Sequence, residues 1–171
     1  MTDIRKHCEE IAADVQSLSH QLHSSKLEDL GLATAVRGFC ADFSKLKKVT
    51  VAFIGENIPN PLPNDVSLCL FRVVQESLHN ALKHSGDRNF AVTLRGTPGQ
   101  LQLEVRDFGT GFDMGALRNK GLGLVSMQER INMVHGTFHV ESAPEEGTRI
   151  VATVPVAVDD NASQRSEPLM L

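Results

Sequence analysis

The chain has 171 residues, of which 41% are hydrophobic and 22% charged, as expected for one soluble globular domain with some additional helix. A net charge of −4, without any tract of Lys and Arg, argues against a nucleic-acid partner. The three cysteines form no C-x-x-C pair and no apolar run approaches the roughly 18–20 residues of a membrane span, so we expect a cytoplasmic chain, or the cytoplasmic part of a membrane-anchored sensor.

The first predicted element is a helix whose apolar residues are spaced alternately by four and by three. The stripe consists of Ile4, Cys8, Ile11, Val15, Leu18 and Leu22. An a/d stripe of this kind implies a partner helix. A helix packed on its own domain remains the alternative, because the stripe covers only about three heptads.

A helix and a strand are predicted next, after the segment "HSSKLEDLGL" interrupts the stripe. The helix runs from about Leu32 to Leu46 and carries Val36, Phe39 and Phe43 on one side. The segment "KKVTVAFIGE" alternates apolar and small residues and predicts a strand. Three prolines in "NIPNPLPND" then predict a loop.

The following helix, from about Asp65 to His84, is predicted to have two distinct faces. At 100° per residue, its large apolar side chains fall within an arc of about 120°. Four polar residues occupy a separate arc of about 100°. They are Glu76, Asn80, Lys83 and His84.

The rest of the chain predicts two strand pairs around a further helix. "RNFAVTLRG" and "QLQLEVRDFG" are joined by the turn signal "TPG", and "TFHVESA" and "TRIVATVPV" by "PEEG". Between the pairs lie a glycine-rich segment and the helix "LGLVSMQERINMVHG", which we expect Gly136 to close. Strands joined by short turns indicate antiparallel pairing, so we expect a mixed α/β sandwich with its helices on one face of the sheet.

The polar arc of the long helix suggests a metal or phosphate site. Asn80 could offer an oxygen to Mg²⁺, which prefers hard oxygen ligands, and Glu76 one turn earlier could orient or deprotonate a nucleophile. A salt-bridged, solvent-facing stripe explains the same spacing equally simply.

Asp107 is predicted to end a strand just before a Gly-x-Gly sequence formed by Gly109 and Gly111. Glycines let the backbone approach a ligand closely, and a carboxylate there is a strong acceptor for an exocyclic amine such as that of adenine. The simpler alternative is a turn aspartate that caps its own loop.

The sequence "GLGL", from Gly121 to Leu124, opens a helix. The N-terminus of a helix presents free N–H groups and a positive dipole end, which favour phosphate. A plain glycine hinge is the alternative.

The three polar elements, in this order, resemble the N, G1 and G2 boxes of the GHKL ATP-binding superfamily. "QESLHNALKHS" resembles the N box, "DFGTGFD" the G1 box, "KGLGLVSMQERI" the G2 box, and "EEGTRIVATVPV" the closing Gly-Thr strand. The resemblance covers about Val49 to Pro155 and implies a two-layer α/β sandwich of the Bergerat type, with a mixed, largely antiparallel sheet.

The resemblance implies a binding site for ATP and Mg²⁺ with a role for each matching residue. Asn80 would ligate Mg²⁺, Glu76 would assist phosphoryl transfer, and Asp107 would bind the adenine amino group with support from Thr148 through water. The remaining implied contacts are Lys83, His84, Lys120, Gly121, Leu122 and Gly123 near the phosphates and lid, and Gly109 and Gly111 beside the base and ribose.

Within the superfamily the sequence is similar to sensor histidine kinases of the nitrate/nitrite-sensor type. The resemblance implies a helical segment at residues 1–46, which would hold the second helix of the dimerisation hairpin and a connecting helix, then an ATP-binding domain at 47–156 and a disordered tail at 157–171. No histidine followed by an acid is found where the phosphoacceptor would lie, and neither His20 nor His23 replaces it. We therefore expect a C-terminal piece of a kinase that acts on a histidine of its missing hairpin helix, and then on the receiver domain of a response regulator.

Two rival classes share this fold. One is a serine kinase and binding module of the anti-sigma-factor type, against which the heptad helix argues. The other is a domain that keeps the pocket without catalysis. Whether the chain forms a homodimer stays open.

Overall fold

The computed structural model describes Leu27, residues 29–113 and residues 122–156. The predicted heptad helix, the phosphate-site residues Lys120 and Gly121, and the predicted tail lie outside these residues. The elements in chain order are α1 (residues 29–47), β1 (Thr50–Glu56), α2 (Asn64–His84), β2 (Asn89–Thr97), β3 (Gln100–Asp107), α3 (Leu122–Met133), β4 (Thr137–Ala143) and β5 (Gly147–Pro155).

The five strands form one mixed sheet in the order β1-β2-β3-β5-β4. β1 and β2 are parallel, because helix α2 crosses over between them, and the other neighbours are antiparallel. The predicted α/β sandwich with a largely antiparallel sheet is confirmed.

The core lies between one face of this sheet and the helices. Burial alternates strictly along β3, where Leu101, Leu103 and Val105 point inward and the residues between them are more exposed. Across the interface α2 contributes Leu70 and Leu78, both fully buried, from the predicted apolar face. Each such side chain contributes about 1.5–3 kcal/mol of hydrophobic free energy. The fold thereby fixes α2, and with it the polar arc, against the sheet.

Helix α1 packs beside α2 through aromatic contacts. The rings of Phe39 and Phe71 lie edge to face, with centroids 5.6 Å apart, and Phe43 meets the ring of His79 at 5.4 Å. The helix begins a few residues before the predicted Leu32, and Gly31 adopts a left-handed φ of 75° near its start. Residues 29–31, which the sequence assigned to the interruption, are therefore part of the helix.

The other face of the sheet is polar. Arg149 on β5 donates to Glu104 on β3 at 2.7 Å and to Glu141 on β4 at 2.9 Å. The hydrogen bonds that Arg149 donates, first to Glu104 and then to Glu141, raise the pKa of its guanidinium above the ordinary value. These pairs are exposed to solvent and each contributes at most about 1 kcal/mol. Among the residues that the structure describes, no helix is both long and apolar enough to cross a membrane.

Candidate nucleotide site

A cavity of about 460 Å³ lies between the second half of α2, the end of β3, the start of α3 and β5. Its volume falls in the range usual for sites that bind small molecules. It is lined by Ser77, Asn80, Ala81, His84, Ser85, Asp107, Gly111, Phe112, Gly123, Leu124, Thr148 and Ile150. Six of the residues predicted from the sequence thus line one space.

Asp107 forms one wall of the cavity. It ends β3 opposite Thr148 of β5 and is only 6% exposed. Its Oδ1 accepts hydrogen bonds from the backbone N–H of Gly109 at 3.1 Å and of Thr148 at 3.2 Å. Within the described residues no buried side-chain oxygen lacks a partner, so the second carboxylate oxygen, which has no protein partner there, is open to the cavity. The carboxylate is thereby held rigidly with one acceptor available to a ligand.

The loop after Asp107 is fixed by backbone contacts on both sides. The N–H of Thr110 donates to the carbonyl of Ser85 at 2.8 Å, and the carbonyl of Thr110 accepts from the N–H of Glu145 at 2.8 Å. A Cβ at Gly109 would collide with the carbonyl of Ser85, and Gly111 adopts a φ of 57° beside the β4–β5 turn. Only glycine allows this close passage of the loop past the neighbouring protein backbone.

Phe108, between Asp107 and Gly109, does not line the cavity. Its ring is half exposed and lies under the guanidinium of Arg106, 5.0 Å from the ring centroid. The ring of Phe108 therefore packs against Arg106 and solvent rather than against a ligand.

The other end of the cavity is formed by α2 and the start of α3. Asn80 Nδ2 donates to Glu76 Oε1 at 3.3 Å, and Gly123 approaches both side chains so closely that a Cβ there would collide with Glu76. Because the amide nitrogen of Asn80 is engaged with Glu76, its oxygen is left for a ligand. An amide oxygen at the edge of a cavity fits Mg²⁺, which takes few protein ligands and completes its shell with water and phosphate.

The remaining predicted phosphate-site residues are placed differently. His84 lines the cavity, whereas Lys83 is exposed and does not. Leu122 is 91% exposed, so only its backbone could serve a ligand. The first turn of α3, which begins at Leu122, borders the cavity through Gly123.

Several lining residues were not predicted from the sequence. Ser77, buried at 2% exposure, donates to the sulfur of Met127 at 3.4 Å and couples α2 to α3. Ser85 ends α2 and offers the carbonyl that holds the loop. Neither serine belongs to a spacing pattern that indicates a binding site. Only Ser85 could have been found from the sequence, because it directly follows the last residue of the predicted helix.

In the part of the chain that the structure describes, the buried cysteines and the histidines form no metal site. Burial raises the pKa of the Cys40 thiol from 9.0 to about 12, so that it remains a neutral core side chain. In the described ranges no three His, Cys, Asp or Glu side chains are grouped to hold a metal ion.

Residues 65–158 match the family of histidine kinase-, DNA gyrase B- and HSP90-like ATPases. The chain therefore belongs to this family, and the cavity lies within the matching residues. The predicted GHKL resemblance is confirmed.

The chain is also similar to individual sensor kinases. It is 35% identical over 144 residues to the oxygen sensor histidine kinase NreB of Staphylococcus carnosus, covering 84% of this chain and 42% of that protein. It is 29% identical over 158 residues to the signal transduction histidine-protein kinase/phosphatase DegS of Brevibacillus brevis, covering 92% of this chain and 41% of that protein. The chain thus spans less than half the length of these curated relatives.

Solved structures share the fold. The blue-light activated histidine kinase EL346 of Erythrobacter litoralis matches with a TM-score of 0.65 at 16% identity, over 88% of this chain and 50% of that one. Full-length ShkA in complex with AMPPNP matches with a TM-score of 0.63 at 19% identity, over 87% of this chain and 37% of that one. At such identities the likeness concerns the fold alone.

Proposed function

We propose that this chain is the ATP-binding catalytic part of a sensor histidine kinase, which transfers the γ-phosphoryl group of Mg·ATP to a histidine and from there to the receiver domain of a response regulator. The observation that carries the proposal is the position of Asp107 and Asn80 in the lining of one nucleotide-sized cavity. The similarity to kinases such as NreB and DegS supports it. The anti-sigma-type alternative has no comparable support.

In this proposal the Asp107 end binds the base. The free oxygen of Asp107 accepts a hydrogen bond from the adenine amino group, and Thr148 supports the base through water. Gly109 and Gly111 let the backbone pass beside the base and ribose. These contacts identify adenine and position the triphosphate towards α2.

The Asn80 end would hold the triphosphate. Magnesium, when bound, supplies charge neutralisation on the phosphate oxygens, and the amide oxygen of Asn80 would be its protein ligand. His84 and the backbone N–H groups at Leu122 and Gly123 would hold phosphate oxygens, together with Lys83, Lys120 and Gly121.

Glu76 would act on the incoming nucleophile. As the histidine nitrogen forms its bond to the γ-phosphorus and the bond to the β-phosphate oxygen breaks, Glu76 would accept or orient the proton lost by the ring. Most of the rate would come from alignment and charge neutralisation rather than from covalent help by the protein.

The domain limits follow from the same proposal. Residues 1–46 would supply the second hairpin helix and the connecting helix, residues 47–156 the ATP-binding domain, and residues 157–171 a tail. The partners would be the kinase's own hairpin helix and the response regulator, with a homodimer formed through the hairpin.

Calorimetric titration of the purified chain with Mg·ATP tests the proposal. We expect saturable binding, and its loss in Asp107→Asn, which replaces an acceptor by an amide whose nitrogen repels the adenine amine. Asp87→Asn is the matched control, because Asp87 also accepts a backbone N–H bond, from Arg88, but lies outside the cavity.

A hairpin polypeptide carrying the acceptor histidine, supplied separately with γ-labelled ATP, tests the transfer step. Label that is stable in base and lost in acid indicates phosphohistidine. Failure of the unmodified chain to bind Mg·ATP contradicts the whole proposal, and label on serine instead favours the anti-sigma-type alternative.

A further inference from the structure

Ser142 lies on β4 behind the wall of the cavity, and its hydroxyl joins three groups. It donates to the carbonyl of Gly147 at 2.8 Å and accepts from the N–H of Phe112 at 2.9 Å. The hydroxyl of Thr148 lies 3.3 Å from the same oxygen. Phe112 and Thr148 line the cavity, whereas Ser142 does not.

Counting protons fixes the direction of the third contact. A serine hydroxyl has one proton, and a backbone carbonyl can only accept, so the proton of Ser142 is committed to Gly147. A backbone N–H can only donate, so Phe112 takes one lone pair of the Ser142 oxygen. The contact between the two hydroxyls therefore requires Thr148 to donate its own proton to Ser142.

The direction of this hydrogen bond determines what Thr148 can offer to a ligand in the cavity. With its proton directed to Ser142, the hydroxyl of Thr148 offers only lone pairs to a ligand or to a water beside it. Its neighbour Asp107, as a carboxylate, also only accepts. The side chains of Asp107 and Thr148, which neighbour each other in the cavity lining, are thus both acceptors, which complement an amino group and oppose a carbonyl oxygen.

We propose that Ser142 is a positioning residue that sets the purine preference of the site, by holding Thr148 as an acceptor so that a 6-amino purine is favoured over a 6-oxo purine. The inference rests on the proposed nucleotide site and names what selects its substrate. Ser142 acts through Thr148 and does not touch the base.

The measurement is the ratio of two dissociation constants, that for inosine triphosphate over that for ATP, both with Mg²⁺. In Ser142→Ala the Thr148 hydroxyl is free to rotate and donate to the water beside the base, which leaves both protons of that water available to the 6-oxo group. We expect the ratio to fall roughly threefold to tenfold, the worth of one hydrogen bond. Ser142→Thr keeps the hydroxyl and should restore the ratio.

A double variant separates this role from a general disturbance of the loop. Thr148→Val removes the hydroxyl through which Ser142 acts, so adding Ser142→Ala to it should leave the ratio unchanged. Ser44→Ala is the matched control. The Ser44 hydroxyl likewise donates to a carbonyl, that of Cys40, and accepts a backbone N–H, that of Val51, but it lies away from the cavity.

The outcomes are distinguishable. If Ser142→Ala weakens both nucleotides equally, or lowers the ratio as much in the Thr148→Val background, Ser142 only supports the loop and the inference is wrong while the nucleotide site stands. A Ser142→Thr ratio as low as that of the alanine variant also contradicts it. If the unmodified chain binds neither nucleotide, the proposed function fails and the inference fails with it.

Discussion

At the scale of single residues, Gly123 is the point where α3 meets the polar arc of α2. A Cβ at this position would collide with Glu76 and would lie 3.2 Å from the amide nitrogen of Asn80. Because Gly123 has no side chain, Glu76 and Asn80 can keep their positions beside the start of α3. In the sequence, the glycine suggested a hinge or a phosphate contact, and the structure adds this packing role.

Gly123→Ala should weaken Mg·ATP binding about tenfold, because overpacking displaces neighbouring groups at a cost of about 1–3 kcal/mol. Calorimetry measures the change in affinity. Gly38→Ala is the control, since Gly38 lies in helix α1 with no atom within 4 Å of its added Cβ. That variant should bind normally and gain up to about 1 kcal/mol of stability. Equal affinities in the two variants would contradict the role of Gly123.

Asn80→Asp should abolish measurable Mg·ATP binding while the fold is retained. The new carboxylate cannot donate to Glu76 as the amide does at 3.3 Å, and it adds a negative charge where phosphates are expected. Calorimetry and circular dichroism measure the two effects. Asn89→Asp, an exposed amide on β2, is the control, and unchanged affinity in Asn80→Asp would contradict a phosphate end at this place.

The sequence predicted Asn80 and Asp107 because each stands at a marked point, one on a helical polar arc and the other at the end of a strand before glycines. It did not predict Ser142, which bonds Phe112 from 30 positions away. That contact depends on the register of β4 against β5 and on the path of the loop after Asp107. Neither can be predicted from the local spacing of residues in the sequence.

At the scale of elements, α2 determines the site because it packs on the sheet and lines the cavity at once. The predicted helix limits agree with Asn64–His84 within one residue, since the apolar periodicity and the preceding prolines are strong signals. The start of α1 was less well predicted, because the left-handed Gly31 lies inside the segment assigned as helix.

Leu78→Ala should lower the free energy of unfolding by about 2–5 kcal/mol, because Leu78 is fully buried on the apolar face of α2. Urea denaturation measures it. Leu46→Ala, in helix α1 and 77% exposed, removes the same atoms from the surface and should cost little. A Leu78 variant as stable as the Leu46 variant would show that α2 is not held as described.

At the scale of the whole molecule, the core keeps two thiols protonated. Burial raises the pKa of Cys40 from 9.0 to about 12 and that of Cys69 from 9.0 to about 11. An acid whose pKa is raised by folding contributes its full stability below the unfolded pKa and loses it as the pH rises through the folded value. The affected window therefore begins near pH 9.

We expect the stability to fall by roughly 1 kcal/mol or more per pH unit above about pH 9. Urea denaturation between about pH 8 and about pH 10.5 measures this slope, and the chain has no tyrosine to titrate in the same window. The double variant Cys40→Ala, Cys69→Ala should have a shallower slope. If stability falls with pH equally steeply in the double variant and in the unmodified chain, the buried thiols are not the cause of the fall.

Because one helix, α2, supplies both the packed core and the cavity lining, occupancy of the cavity and folding are thermodynamically coupled. A ligand that binds only the folded chain adds about 2.7 kcal/mol to its stability at a concentration of about one hundred times Kd. Nucleotide in the cell would then act as a folding partner of this domain, so that variants too weakly packed to survive alone could persist wherever ATP is abundant.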